Sequence, residues 1–163
     1  MQEIKIIRQF LSESEESTFE ISQLLGSVLH GGDNIALTGN LGAGKTRMAQ
    51  GIAKGAGLGD EYYIASPTFT LINEHHLDDL IYYHMDLYRL GESDELIELD
   101  FFEIIRSGNI TVCEWWDLFP ETIPPDALII EILKTSENTR TIILKTATFE
   151  AWNDRLSKAF PKN

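Results

Sequence analysis

Residues 34–46, "NIALTGNLGAGKT", decide the fold of this chain. "NIALT" (34–38) is short, apolar and β-prone, which predicts a buried strand. "GNLGAGKT" (39–46) follows without a break, and "TRMAQGIAKGAG" (46–57) then predicts a helix that its glycines fray. A strand that enters a glycine-rich loop and leaves it as a helix is typical of a phosphate-binding loop.

The loop satisfies the pattern G-x-x-x-x-G-K-[ST]. Its glycines let successive N–H groups face one concavity that holds phosphate oxygens. Lys45 has the reach and charge to contact the β- and γ-phosphates, and the hydroxyl of Thr46 can join the ligands of Mg²⁺. The alternative, a glycine-rich turn with an exposed lysine, does not account for the flanking strand and helix. The predicted nucleotide-binding residues are Gly39, Asn40, Leu41, Gly42, Ala43, Gly44, Lys45, Thr46 and Arg47.

Two predicted strands end in a carboxylate. "ITVCE" (110–114) closes on Glu114 and resembles a Walker B strand with Glu in place of Asp, while "IYYHMD" (81–86) closes on Asp86. Both are expected at the carboxyl edge of the sheet, where open α/β folds bind ligands. One would bind Mg²⁺ and the other would orient an attacking water, in an order the sequence leaves open. The alternative is that both accept hydrogen bonds from loop amides.

Other segments near these strands have weaker signals. "SPTF" (66–69) occupies the position of a switch segment, in which Ser or Thr senses the γ-phosphate, although a proline turn explains it equally well. Of the adjacent Trp115 and Trp116, one is expected in the core and one exposed, where it would stack on a base or a partner. The histidines lack the spacing of a zinc site: His75, His76 and His84. The sequence also lacks an N-K-x-D element for guanine, which favours ATP.

The rest of the chain alternates between strands and helices. The first helix is predicted to begin at Ser12, in a capping box with Glu15, and to end at Gly31-Gly32. A turn is predicted at 77–79 and a hairpin loop at 135–139. Further strands are predicted at 4–10, 63–76, 80–90, 109–115, 127–134 and 140–146, and further helices at 94–108 and 148–160.

This order predicts the α/β class, and one domain over residues 1–163. The expected architecture resembles P-loop NTPases: a three-layer sandwich with a mostly parallel central sheet, antiparallel edge strands and helices on both faces.

Charge and composition exclude several functions. The chain has 26 acidic and 13 basic residues, a net charge of -13, so it should not bind nucleic acid unaided. A single cysteine, Cys113, excludes an internal disulfide. The sequence contains neither an apolar run long enough to span a membrane nor a recognisable secretory signal at "MQEIKIIRQF". We therefore expect a cytoplasmic protein that does not associate with membranes.

Four stretches together resemble the TsaE family, also called YjeE. That family carries "G-D-L-G-A-G-K-T", "S-P-T-F", "H-x-D-x-Y-R-L" and an apolar strand ending "E-W". The resemblance covers roughly residues 10–134. The corresponding stretches here are "GNLGAGKT" (39–46), "SPTF" (66–69), "HMDLYRL" (84–90) and "CEW" (113–115).

The resemblance implies a weak Mg²⁺-dependent ATPase that is stimulated by a partner. Such proteins are required for threonylcarbamoyl modification of the adenosine beside the anticodon in tRNAs that read codons starting with A. They act on a TsaB–TsaD complex whose TsaD subunit carries the transferase site, and ATP hydrolysis resets that complex between turnovers. The resemblance thus implies ATP and Mg²⁺ as cofactors, only indirect contact with tRNA, and a monomer when alone.

The resemblance also implies roles for individual residues. Lys45 contacts phosphate, Thr46 and Glu114 bind Mg²⁺, and Asp86 assists hydrolysis or joins the metal ligands. The resemblance implies further roles for Thr68 as the switch residue, Trp115 as an aromatic beside the site, Arg89 at the phosphates or the partner, and Leu11 and Ser12 near the adenine.

Two positions depart from the family pattern. Asn40 stands where Asp is usual, which removes a negative charge near the phosphates, and Trp116 stands where a small residue or proline is usual. The first change would tighten nucleotide binding or alter the hydrolysis rate, and the second leaves the geometry after Glu114 open.

Two other functions compete with this interpretation. A stand-alone small-molecule kinase would need a lid with arginine, but the stretch at the position expected for a lid, "ETIPPDALIIEI" (121–132), contains neither Arg nor Lys. The second alternative is a nucleotide-sensing binding module that does not hydrolyse ATP. The presence of Asp86 and Glu114 argues only mildly against it.

Overall fold

The computed structural model describes residues 2–60 and 65–162, which form one seven-stranded sheet. The strand order is β1-β7-β6-β2-β5-β4-β3. The four central strands β6, β2, β5 and β4 are parallel, and the edge strands pair antiparallel. The strands are β1 (Lys5–Ser12), β2 (Asn34–Thr38), β3 (Ile72–His76), β4 (Ile81–Asp86), β5 (Ile110–Glu114), β6 (Leu128–Lys134) and β7 (Arg140–Thr146).

Helices cover both faces of this sheet. One hydrophobic core unites α1, α2 and α5 with one face, and a second core places α3, α4 and the two 3-10 turns on the other. The three-layer α/β architecture with a parallel centre and antiparallel edges is therefore confirmed. The helices are α1 (Glu15–Gly26), α2 (Lys45–Gly55), α3 (Asp94–Glu98), α4 (Phe101–Ile105) and α5 (Phe149–Ala159), and the 3-10 turns are Trp116–Leu118 and Pro120–Thr122.

β2 and β5 in the middle of the sheet are mostly apolar because both of their faces are buried. In β2, Ile35 and Leu37 enter the first core, whereas Ala36 between them enters the second. In β5, Cys113 is fully buried in the second core, as its apolar surroundings in the sequence predict. Successive residues of a strand thus enter opposite cores, so both faces need apolar side chains, and a short apolar run was sufficient to predict these strands.

The glycines of α2 do not fray the helix, contrary to prediction. A Cβ atom on Gly55 would lie 2.0 Å from the carbonyl oxygen of Gln23 in α1, and one on Gly51 would lie 2.4 Å from the Cβ of Ser22. Close approach of the two helix backbones requires glycine at these positions. The glycines therefore hold α2 against α1 and fix the direction in which α2 leaves the loop.

The predicted bounds of α1 are wrong at both ends. Ser12 is the last residue of β1, and the N-cap is Ser14, whose hydroxyl accepts a hydrogen bond from the backbone N–H of Ser17 at 3.0 Å. The helix ends at Gly26 because the chain then tightens into i→i−3 hydrogen bonds, from Val28 to Leu25 and from Leu29 to Gly26.

Three other predicted elements are shorter than expected. The helix predicted over 94–108 is interrupted between α3 and α4, because Asp100 adopts a left-handed conformation with φ 56°. β3 begins only at Ile72, after a turn in which Leu71 donates to the carbonyl of Pro67, and residues 63 and 64 of its predicted range lie outside the described residues. β4 ends at Asp86 because a further turn joins Leu87 and Leu90.

Within 2–60 and 65–162, every helix is too short or too polar to cross a membrane.

Candidate functional site

The predicted site residues converge at one edge of the sheet. β2, β4 and β5 are parallel, so their carboxyl ends meet, and Asp86 and Glu114 are register partners in neighbouring strands. The loop after β2 closes the same edge, forming a cleft of about 330 Å³. Its lining comprises Glu15, Leu41, Gly42, Gly44, Lys45, Thr46, Arg47, Ser66, Thr68, Asp86, Tyr88, Glu114, Trp115 and Arg140.

Two glycines give the loop its shape. Gly39 has φ 145°, and a Cβ there would lie 2.5 Å from the carbonyl oxygen of Ile132 in β6. Gly44 has φ 112° and caps α2, and a Cβ there would lie 3.3 Å from Nε of Arg140. Side chains rarely adopt these backbone angles, so both positions require glycine. The result is a concave turn at the positive end of a helix, a geometry that suits phosphate.

Lys45 points its amine back over this turn. Its Nζ donates to the carbonyl oxygens of Gly39 at 2.6 Å and Asn40 at 2.9 Å, and lies 4.0 Å from the centre of the Trp115 ring. Burial lowers the pKa of Lys45, while the negative charge of Glu114 acts in the opposite direction. Lys45 is only 4% exposed, so its amine is directed into the loop and not into solvent. It is placed to contact a phosphate in the turn.

The hydroxyl of Thr46 faces the carboxylate of Glu114. Its Oγ1 donates to Oε1 at 2.9 Å, with Oε2 at 3.2 Å, and Glu114 is 3% exposed. His84 of β4 approaches the same carboxylate, with Nε2 at 2.6 Å from Oε2. The prediction that Glu114 serves as the acid opposite Thr46 thus has the required contact, although its role in catalysis stays a prediction.

Asp86 forms a second polar group with the predicted switch segment. Thr68 donates to Oδ2 of Asp86 at 3.0 Å, and the backbone N–H of Tyr88 donates to Oδ1 at 2.9 Å. The hydroxyls of Ser66 and Thr68 are also hydrogen-bonded, at 2.8 Å. The SPTF segment is therefore tied to the end of β4, and a movement of either would affect the other.

The donors around Thr46 suit a magnesium ion. Mg²⁺ prefers oxygen ligands and is usually held by one or two carboxylates together with substrate phosphates. Glu114 and Asp86 are 3% exposed and lie side by side in the sheet, with the Thr46 hydroxyl on Glu114. Among the described residues, no cluster of three His, Cys, Asp or Glu side chains forms a separate metal cage. The residues present therefore fit Mg²⁺ bound together with a nucleotide.

Aromatic residues form the wall next to Lys45. Trp115 has φ 63°, and this left-handed conformation turns it towards the cleft while Trp116 is fully buried in the second core. The ring of Tyr88 lies 4.8 Å from that of Trp115. Arg89 stacks on Phe69 at 4.2 Å, and Phe69 is 80% exposed. Trp116 lies in the core, as predicted for one of the two tryptophans, whereas Trp115 is half-buried and not exposed as expected for the other.

The structure does not bring Leu11 and Ser12 into the cleft lining. Leu11 is exposed, and Ser12 is buried with its hydroxyl bonded to the backbone oxygen of Ser14 and to Thr18. Glu15, at the start of α1, is the residue of this segment that lines the cleft.

Two buried residues of the site, Arg140 and His84, were not predicted from the sequence. Arg140, the first residue of β7, donates from Nε to the carbonyl of Ala43 at 2.7 Å. No local signal marks it, because it lies 97 residues away in the chain. His84 was considered only for zinc, yet it alternates with Asp86 along β4, and this spacing places both side chains on one face.

Larger hollows lie elsewhere on the protein, with volumes of about 510 and 650 Å³. Their linings contain neither the Gly39–Thr46 loop nor the Asp86–Glu114 pair, so the smaller cleft is the candidate site.

Comparisons with known proteins identify the family of this chain. A family model described as "Threonylcarbamoyl adenosine biosynthesis protein TsaE" matches residues 12–142. The tRNA threonylcarbamoyladenosine biosynthesis protein TsaE of Aquifex aeolicus is 34% identical, with 85% of this chain and 96% of that protein covered. The protein of the same name from Bacillus subtilis is 36% identical, covering 86% and 83% of the two chains.

A similar protein from a Nostoc species is 43% identical over 68% of each chain, and it carries the same name. The crystal structure of Bacillus subtilis YdiB superposes with a TM-score of 0.77 and 29% identity, covering 97% of this chain and 98% of that one. The match to the family model, over residues 12–142, spans the Gly39–Thr46 loop, the SPTF segment, Asp86 and Glu114. The chain belongs to the TsaE family of tRNA threonylcarbamoyladenosine biosynthesis proteins.

Proposed function

We propose that this chain is a Mg²⁺-dependent ATP-binding protein whose weak ATPase activity is stimulated by a TsaB–TsaD complex. Through that activity it would support threonylcarbamoyl modification of adenosine beside the anticodon in tRNAs that read codons starting with A. The observation that carries the proposal is the contact between Thr46 of the loop and Glu114, at 2.9 Å, beside the buried Lys45.

Lys45 binds the β- and γ-phosphates in this account. A phosphate would exchange for the carbonyl oxygens of Gly39 and Asn40, which now accept hydrogen bonds from its amine. Gly44 and the start of α2 add partial positive charge at the same place. Because the whole chain carries a net charge of -13, this local positive region supplies the selectivity for an anion.

Thr46 and Glu114 are the residues that would hold Mg²⁺. When bound, the ion supplies charge neutralisation for the phosphates. The Thr46 oxygen could offer a lone pair to the metal while its hydroxyl proton stays hydrogen-bonded to Glu114, as in the contact observed here. Glu114 in turn keeps an oxygen directed at the loop.

Asp86 is left to orient the attacking water. It lies beside Glu114 in the sheet, and its Oδ2 accepts a hydrogen bond from Thr68 of the switch segment. If Thr68 turns towards a γ-phosphate, Oδ2 becomes free to accept a proton from water. This arrangement would couple hydrolysis to the position of the SPTF segment.

A protein partner is supported by apolar side chains at the rim of the cleft. Leu41 in the loop is 75% exposed, Phe69 in the SPTF segment is 80% exposed, and Tyr88, which lines the cleft beside Trp115, is 47% exposed. A partner that covers them would order the switch around the nucleotide. The acidic surface opposes direct tRNA binding, so tRNA would be reached through TsaB–TsaD. We propose a cytoplasmic protein that is monomeric when alone.

Phosphate release from ATP and Mg²⁺ tests the proposal, first with the protein alone and then with TsaB–TsaD added. We expect slow release alone and clear stimulation by the complex, which Asp86→Asn abolishes. The matched control is Asp126→Asn, because Asp126 is exposed and does not line the cleft. Equal rates with and without the complex would contradict the proposal and favour the stand-alone kinase, whereas tight binding without release would favour the sensing module.

A further inference from the structure

His84 is a fully buried histidine that is hydrogen-bonded to Glu114. It lies in β4 with 0% exposure, and its Nε2 lies 2.6 Å from Oε2 of Glu114. Within residues 2–60 and 65–162, its other ring nitrogen, Nδ1, has no hydrogen-bond partner. Buried polar groups are normally hydrogen-bonded. The hydrogen bond between His84 and Glu114 therefore indicates the role of His84.

The direction of this hydrogen bond follows from the chemistry of its two ends. A carboxylate can only accept, so the Nε2 of His84 carries the proton and donates it to Oε2. Thr46 donates to Oε1 of the same carboxylate at 2.9 Å. Thr46 lies closer to Oε1 than to Oε2, which is 3.2 Å away, whereas His84 contacts Oε2, so the two donors approach the Glu114 carboxylate from different sides and together restrict its rotation.

Without His84 the carboxylate would be poorly constrained. Glutamate has three rotatable side-chain bonds, and Glu114 is 3% exposed, so water cannot readily replace a lost donor. His84 reaches it from the adjacent strand, β4, to which β5 is paired in parallel. The fixed spacing of the sheet thus determines the position of the donor.

We propose that His84 is a positioning residue that holds the Glu114 carboxylate in the orientation required for Mg²⁺ binding at Thr46. The inference rests on the proposed function, because it concerns the same metal-dependent nucleotide site. Residues that hydrogen-bond to metal ligands commonly hold those ligands in place. Their removal typically weakens metal affinity by about 10- to 100-fold.

The experiment compares the affinity for a non-hydrolysable ATP analogue in Mg²⁺ and in EDTA by calorimetry. His84→Leu fills the same space without a donor, whereas His84→Gln places an amide N–H near the position of Nε2. We expect Leu to lower the affinity in Mg²⁺ by roughly tenfold and to leave the affinity in EDTA within twofold. His84→Gln should recover most of the affinity in Mg²⁺. If His84 only filled the core, a glutamine would not recover it.

A double-variant comparison tests whether His84 acts through Glu114. In a Glu114→Gln background, His84→Leu should produce no further loss, because the group it positions is already absent. If His84→Leu does not give a cooperative thermal transition, His84→Asn replaces it, since Asn keeps an amide but is too short to reach Glu114.

The outcomes separate this inference from the proposed function. No Mg²⁺ enhancement in the unaltered protein would overturn the proposed function, and the inference with it. A normal enhancement that His84→Leu or His84→Asn leaves intact would overturn the inference alone, as would a Gln variant no better than Leu. An additive loss in the Glu114→Gln background would show that His84 acts elsewhere and would also overturn it.

Discussion

Replacing Gly55 with alanine tests how α2, which begins with Lys45 and Thr46, is held in place. Helix propensity alone predicts that alanine stabilises the protein by up to about 1 kcal/mol. The structure predicts the opposite, because the new Cβ would lie 2.0 Å from the backbone oxygen of Gln23 and 3.0 Å from its Cα. No side-chain rotation relieves a contact with backbone, so α1 and α2 must separate by about 1 Å.

Overpacking of this kind typically costs about 1–3 kcal/mol, and more where backbone is involved. Because the contact is with backbone, we expect a cost near the upper end, about 3 kcal/mol, and subtracting about 1 kcal/mol of helix propensity leaves a fall in the free energy of unfolding of about 2 kcal/mol for Gly55→Ala. For a chain of this length that corresponds to a fall in Tm of about 4–8 °C. The assay is urea denaturation followed by circular dichroism, with a thermal melt as a second measure.

Gly91→Ala is the matched control for this substitution. The nearest atom to a Cβ at Gly91 is Oε1 of Glu95 at 3.8 Å, an ordinary contact. Alanine there should leave stability unchanged or raise it by about 0.4–1 kcal/mol. If Gly55→Ala proves as stable as the control, the close packing of α1 on α2 is refuted, together with the account of how α2 is oriented.

Three further predictions concern the cleft. Lys45→Ala should weaken ATP binding by roughly 10- to 100-fold in calorimetry, the loss of a hydrogen bond to a charged group, and unchanged affinity would contradict the loop assignment. Because burial lowers the pKa of Lys45 from 10.5, its protonated, phosphate-binding form is lost at lower pH than for an ordinary lysine. ATP affinity should therefore fall as pH rises towards 10.5, and a fall that Lys45→Arg fails to shift to higher pH would contradict this. Thr68→Val removes the bond to Asp86 and should slow partner-stimulated phosphate release while leaving ATP affinity within twofold; a normal release rate would exclude the switch role.

The central part of the fold could be predicted because its signals are local. β2 and β5 are buried on both faces, so their sequences are continuous apolar runs, and the residues that close them lie at one edge by parallel pairing alone. The meeting of Lys45, Asp86 and Glu114 follows from that topology. No detail of side-chain geometry was needed to expect it.

The features that escaped prediction depend on contacts distant in sequence. The N-cap of α1 is Ser14 because pairing with β7 extends β1 to Ser12, which lies opposite Arg140. Arg140 reaches the loop by the same pairing. The interruption before α4 depends on one left-handed residue, Asp100, which an apolar pattern does not reveal.

The most direct test of the whole account is multiple-turnover formation of threonylcarbamoyladenosine on tRNA. TsaB–TsaD would be supplied with tRNA, the threonylcarbamoyl donor, ATP and Mg²⁺, with or without this protein, and the modified nucleoside would be counted by mass spectrometry. We predict that product exceeds one equivalent per TsaB–TsaD complex only when the unaltered protein is present, and that Lys45→Ala does not replace it. Equal product in its absence, or full activity with Lys45→Ala, would contradict the account.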